Sequence, residues 1–241
     1  MKVTWLGQGG FLFEAGASRV AVDPYLSDAL APKGLPRLYP PPVTPEGLSP
    51  TLVVFTHDHD DHFDAVTVAA VLKAHPGCLY AGSPETMVHA VETGVAEAQC
   101  TALAVGDAIE HAPLRVTATP ADHSGGAIGL VITDGKTRVY VSGDTLYRGD
   151  LAEAVRAAGG GEPDLAIVCI NGRWGNMPAE DALRLVGELS PRAAAPMHYD
   201  LFATNSADPR PFLDGCRAMG VVGFEMVVGE SFAPADIEAL S

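Results

Sequence analysis

The sequence predicts an α/β protein in which two β-sheets pack face to face with helices outside. Three observations predict it. Short apolar, β-branched runs alternate with helix-patterned stretches in both halves, as in residues 51–55 followed by 64–74, and 164–170 followed by 179–189. Polar and ligand-type residues recur just past the C-terminal ends of such runs, at 56–62, 120–126, 142–145, 171–178 and 198–200. Finally, 241 residues, 47% of them hydrophobic, are enough to bury a substantial core, so 1–241 is read as one domain.

Residues 2–6 and 11–14 alternate as strands around Gly7-Gln8-Gly9-Gly10 and read as a hairpin. The glycines are no dinucleotide fingerprint, because Leu12 stands where the third glycine is needed and a strand follows. Residues 19–22 form a third strand that ends in Asp23-Pro24-Tyr25. Asp23 reads either as a turn-initiating residue or as a carboxylate holding the second nitrogen of a ligand histidine. Residues 27–50, rich in Pro and Leu, exceed an ordinary connection and read as an ordered lid.

Residues 51–55 are a buried strand, and Asp64 caps the helix that follows its loop. Residues 79–82 are a short strand, and 84–92 a helix with Ser83 at its N-cap, Pro84 at its first position and Gly94 ending it. His75, His89 and His111 belong to no ligand pattern and read as surface or packed side chains. From 102 onward strands dominate, at 109–110, 114–119, 127–133 and 137–142, with a turn at Gly135-Lys136. The remainder reads as a helix at 151–158, a strand at 164–170, a helix at 179–189, a strand at 193–197, a helix at 211–219 and a closing strand at 224–228.

The net charge of −15, with no Lys/Arg-rich run, weighs against a nucleic-acid partner and favours a small-molecule substrate. Cys78, Cys100, Cys169 and Cys216 form no CxxC pair and read as free thiols of a reducing cytosol. The chain starts directly in a strand, and no run reaches the length of a membrane span, so neither a signal peptide nor a membrane partner is expected and the location is read as cytoplasmic. A homo-oligomer is left open.

The chemistry centres on Thr56-His57-Asp58-His59-Asp60-Asp61-His62, three His and three Asp in six residues after a core strand. His57 and His59, two apart in an extended segment, point to one side, and Asp61 and His62 point elsewhere. This suits two neighbouring divalent ions, zinc first, with manganese or iron as alternatives. His123, Asp144 and His198 are ligand-type residues in the later strand-end loops, although His123 or Asp144 taken alone reads equally well as a turn residue.

The HxHxDH stretch, a later His, an Asp in Ser-Gly-Asp-Thr and a His after a strand together resemble the metallo-β-lactamase superfamily, in order and spacing from Trp5 to His198. The resemblance implies a four-layer αβ/βα sandwich with metals at one edge. It implies that His57, His59 and His123 hold one ion, that Asp61, His62 and His198 hold the other, and that Asp144 bridges them. The stretch 56–64, Ser142-Gly143-Asp144 and Pro196-Met197-His198-Tyr199-Asp200 are similar to the L-ascorbate-6-phosphate lactonase branch. That branch is longer, and 15 Lys and Arg offer little to a phosphate, so the resemblance supports a lactonase-like hydrolase rather than that particular substrate.

The chemistry implied is attack of a metal-activated hydroxide on a lactone or related ester, with Asp61 orienting the nucleophile and taking its proton. Asn171, Arg173, Trp174, Asn176 and Tyr199, from loops expected at the same edge, are the candidate substrate contacts, and Asp23 the candidate support for a ligand histidine. The alternative is a phosphodiester hydrolase, of nucleotide or phospholipid type, on the same dinuclear site.

Overall fold

Alternation along the first strands sets the layering. Val3, Trp5, Phe11, Phe13, Val20, Val22, Leu52 and Val54 enter one buried cluster, while Leu6, Leu12, Ala21, Val53 and Phe55 enter another. Each of these strands is therefore buried on both faces, with successive side chains sent to opposite sides. The computed structural model describes residues 1–239.

The first sheet contains β1 (Lys2–Gly7), β2 (Gly10–Ala15), β3 (Ser18–Val22), β4 (Leu52–Phe55), β5 (Leu79–Gly82), β6 (Cys100–Ala102) and an edge strand, β14 (Ser231–Phe232). Their order is β14-β1-β2-β3-β4-β5-β6. The second contains β7 (Ala108–His111), β8 (Leu114–Pro120), β9 (Ile128–Thr133), β10 (Arg138–Val141), β11 (Leu165–Cys169), β12 (Ala193–Met197) and β13 (Val222–Gly223), in the order β13-β12-β11-β10-β9-β8-β7. Both sheets are mixed. The first is parallel from β3 to β6 and the second from β10 to β13.

Helices cover the outer faces. α2 (Ala65–Ala74) and α3 (Pro84–Glu92) pack Val68, Val71, Met87 and Ala90 onto the first sheet. α4 (Leu151–Gly159), α5 (Ala179–Leu189) and α6 (Arg210–Ala218) lie on the second. α5 buries Ala182, Leu185, Val186 and Leu189, the spacing of one helical face. The result is the expected α/β sandwich, with helix layers outside two facing sheets. Among the described residues no helix is long and apolar enough to cross a membrane, and the four cysteines are free thiols.

One sequence expectation changes. Residues 224–228 do not form a strand, although Phe224 and Met226 are buried and Val227 is exposed. This segment carries the chain from the edge of the second sheet, where the Phe224 N–H meets the Ala194 carbonyl, to the edge of the first, where the Gly229 N–H meets the Trp5 carbonyl. It spans the gap and has no continuous partner strand. The short pairings fall on either side of it, at β13 and β14.

Residues 27–50 are ordered, with a 3-10 turn at Ala31–Lys33 and a single helical turn, α1 (Pro45–Leu48), capped by Thr44. Tyr25 and Leu30 pack with Leu201 and Phe202, and the Leu38 N–H bonds the Leu201 carbonyl. The segment is thereby tied to the loop after β12.

Candidate metal centre

The ligand-type side chains are brought together by strand ends. β4 delivers the loop carrying His57, His59, Asp61 and His62; β8, β10 and β12 deliver His123, Asp144 and His198. The first loop is held in a tight turn by His62 and Phe63 N–H groups donating to the His59 carbonyl, and it ends where the Asp64 carboxylate caps α2. Gly9 lets the β1–β2 turn close onto it, since a Cβ there would lie 2.7 Å from the His62 ring.

Three groups of possible ligand atoms result: His57, His59 and His123; His57, His62 and Asp144; and Asp61, His62 and His198, each group's atoms lying within 4.8 Å of one another. Asp144 stands between them. Its Oδ2 lies 4.0 Å from His57 Nε2, 3.8 Å from His123 Nε2 and 3.1 Å from His198 Nε2, and its Oδ1 lies 3.3 Å from His62 Nε2.

The donor set fits divalent ions. His59 Nδ1 is 3.1 Å from both His57 Nε2 and His123 Nε2. Two nitrogens at about 2.0–2.1 Å from one tetrahedral zinc lie roughly 3.3 Å apart, so this spacing is that of ligands sharing an ion. His62 Nε2 and Asp144 Oδ1 are buried without a hydrogen-bond partner, which a cation between them would satisfy.

The surroundings fix the rings. Asp23, buried, takes His62 Nδ1 at 2.7 Å on one oxygen and the Thr56 N–H at 2.8 Å on the other. A proton on Nδ1 leaves Nε2 free to bind a metal. His123 Nδ1 donates to the Gly175 carbonyl at 3.0 Å, and Thr56 Oγ1 contacts His57 Nδ1 at 3.0 Å. The Asn176 amide donates to Asp144 Oδ2 at 2.8 Å.

Electrostatics divide the centre. Burial, with His62 nearby, pushes His57 well below the ordinary histidine range, and burial also lowers His123, so both favour the neutral, lone-pair form. Burial opposes charge at His198, but Asp144 and Asp61 overcome it and raise the pKa to about 9; His62 is raised for the same reason. Burial likewise opposes ionisation of Asp144 and Asp61, yet the facing histidines hold both carboxyls well below their usual range.

The remaining candidates are more scattered. Arg173 is exposed, and Trp174 is 64% exposed at a left-handed φ of 50°. Asn171 and Asn176 are buried on protein partners, Asn171 donating to Asn205 Oδ1. Tyr199 is buried against Trp5, with ring centroids 5.1 Å apart. His75 contacts the Glu46 carbonyl, His111 the Thr51 hydroxyl, and His89 the Phe63 ring.

Sequence reasoning missed Gln8, taken as a turn residue. It is fully buried, donates to Asp61 Oδ2 at 2.8 Å and reaches the His198 ring at 3.1 Å. Its only sequence signal is a lone amide among turn glycines.

A sandwich of two mixed sheets with this cluster at its strand ends is the metallo-β-lactamase fold. A family model for the beta-lactamase superfamily domain matches residues 18–199. A UPF0173 metal-dependent hydrolase of Thermoplasma acidophilum is 32% identical, covering 98% of this chain and 99% of its own. One of Metallosphaera sedula is also 32% identical, over 95% and 98%. Among solved structures, Igni18, a metallo hydrolase from Ignicoccus hospitalis, superposes with a TM-score of 0.78 at 26% identity, over 96% of this chain and 98% of that one. The chain belongs to the beta-lactamase superfamily and, within it, to the UPF0173 metal-dependent hydrolases.

Proposed function

We propose that the chain hydrolyses the ester bond of a small lactone at a two-ion centre. The observation that carries this reading is the pair of adjacent ligand clusters joined through Asp144. In this reading His57, His59 and His123 hold one ion, Asp61, His62 and His198 the other, and Asp144 both, with zinc first and manganese or iron as alternatives. When bound, the ions supply Lewis acidity, bringing the pKa of water toward neutrality and stabilising negative charge on the carbonyl oxygen.

The chain's own groups do the rest. Asp61, kept ionised by its histidine neighbours and aimed by the Gln8 amide, orients the attacking water and accepts its proton. Water oxygen bonds to the carbonyl carbon, the ring C–O bond breaks, and the proton passes to the departing alkoxide to give a hydroxy acid. In this reading Trp174 and Arg173, exposed beside the Gly175 carbonyl that braces His123, are the substrate contacts. Asn176 serves Asp144 instead. The choice of a lactone over a phosphodiester rests on the motif resemblance and on the net charge of −15, which disfavours anionic substrates.

The test is turnover by metal-reconstituted protein of sugar lactones with and without phosphate, bis-p-nitrophenyl phosphate, a thioester and a cephalosporin, each beside His57→Ala. Lactone turnover that vanishes in the variant is expected. Turnover of the phosphodiester alone would overturn the lactone reading and leave the metal centre standing.

A further inference from the structure

We infer that the substrate carries an apolar alkyl or aryl arm, which lies against Trp174 and Leu146 where the metal centre opens to solvent. The inference rests on the two-ion centre of the proposed function, but not on which bond that centre cleaves.

Burial sets the open side of the centre. Of the seven candidate ligands, His57, His62, Asp144 and His198 are buried, Asp61 and His123 are half-buried, and His59 alone is exposed. A substrate therefore approaches on the side of His59 and His123. Backbone contacts place two exposed apolar side chains beside His123. Its Nδ1 donates to the Gly175 carbonyl at 3.0 Å, and Trp174 is the residue before Gly175. The Leu146 N–H donates at 2.8 Å to the carbonyl of Asp122, the residue before His123. The two loops are joined in turn, because the Met177 N–H donates to the Thr145 carbonyl at 2.9 Å. Trp174 is 64% exposed and Leu146 43%.

Trp174 is unfavourable for the free protein where it stands. A bulky side chain at a left-handed φ of 50° strains the backbone, and an indole left in water forgoes the burial its size would give. A ligand that covers the ring recovers the second loss. The chemistry around the ring selects what covers it. A polyol needs converging polar side chains, but the amides of this loop are turned inward, Asn171 to Asn205 and Asn176 to Asp144. An apolar arm needs only the surfaces that Trp174 and Leu146 leave exposed.

The test is calorimetric titration of the metal-loaded protein with acetate, butanoate, hexanoate and octanoate, whose carboxylate group is a ligand for the ions whichever bond the centre cleaves. Affinity is expected to rise about threefold per methylene up to hexanoate. Tryptophan emission is expected to shift to the blue as hexanoate binds, because Trp174 is exposed and Trp5, the other tryptophan, is buried. In Trp174→Gly the rise is expected to flatten, with acetate binding and the denaturation midpoint kept, since glycine accepts the left-handed φ. Leu146→Ala is expected to flatten it in part. No rise in the native protein, a rise left intact in Trp174→Gly, or flattening that comes only with a lowered midpoint would each overturn the proposal. So would tighter binding of adipate, which carries a second carboxylate toward Arg173, than of hexanoate. None of these results bears on lactone turnover, and a failure to turn over lactones would leave the chain-length dependence standing.

Discussion

The two halves of the metal centre are built differently. One, His57, His59 and His123, is all imidazole, with His59 exposed and His123 only half-buried. The other, Asp61, His62 and His198, is flanked by the carboxylates of Asp61, Asp144 and Asp23, and its two histidines are almost fully buried. Burial leaves the first half's His57 and His123 neutral, whereas carboxylates raise both histidines of the second. The same local negative charge that favours a proton there also favours a divalent ion. The second half is therefore a site where protons and metal compete, and the first is one where they hardly do.

The largest expected effect removes what the halves share. Asp144→Ala should empty both, with metal content falling from two ions toward none by elemental analysis and turnover falling at least about a hundredfold. Retention of two ions would break the comparison. Next, His59→Ala and His62→Ala should each leave about one ion, but their stability costs should differ. His62→Ala removes one of the two donors to the buried Asp23 Oδ2, which keeps the Thr56 hydroxyl, at a cost of about 1–3 kcal/mol in chemical denaturation, whereas exposed His59 should cost less.

pH separates the halves further. A raised pKa means that His198 carries a proton at neutrality, which metal must displace, so affinity of the second half should rise with pH until about 9. Affinity of the first half, whose His57 and His123 are already neutral, should stay nearly flat. Chelator competition on the His59→Ala and His62→Ala proteins measures each half separately, and equal slopes would contradict the assignment. The smallest effect expected is Asn176→Ala, which frees one oxygen of Asp144 and should weaken metal binding by about tenfold.

Much of this was legible in sequence because strand ends are local features. The run ending at Phe55 and the His/Asp loop after it are adjacent in the chain, so periodicity and residue type were sufficient. Gln8 was not legible. Its meaning lies in contacts to Asp61 and His198, distant in sequence, and an amide has no ligand signature of its own. Asn176 could be placed near the centre by its loop, but its partner, Asp144 Oδ2, depends on how two strand ends dock. The edges of the sheets were lost for a related reason. β13 and β14 are two residues each, too short to show a period, and their pairing is decided by where the 224–228 crossing lets the chain touch each sheet.

The origin of the ligands has a consequence for folding. His57, His59, Asp61 and His62 hang from the first sheet, and His123, Asp144 and His198 from the second. An ion held by both groups is a rivet across the seam between them, available only once the two sheets have docked. The unfolded chain offers no such constellation, so metal acts on the folding equilibrium by mass action. An ion present at a hundred times its dissociation constant adds about 2.7 kcal/mol to the native state, and chelation should lower the melting temperature as well as remove the chemistry.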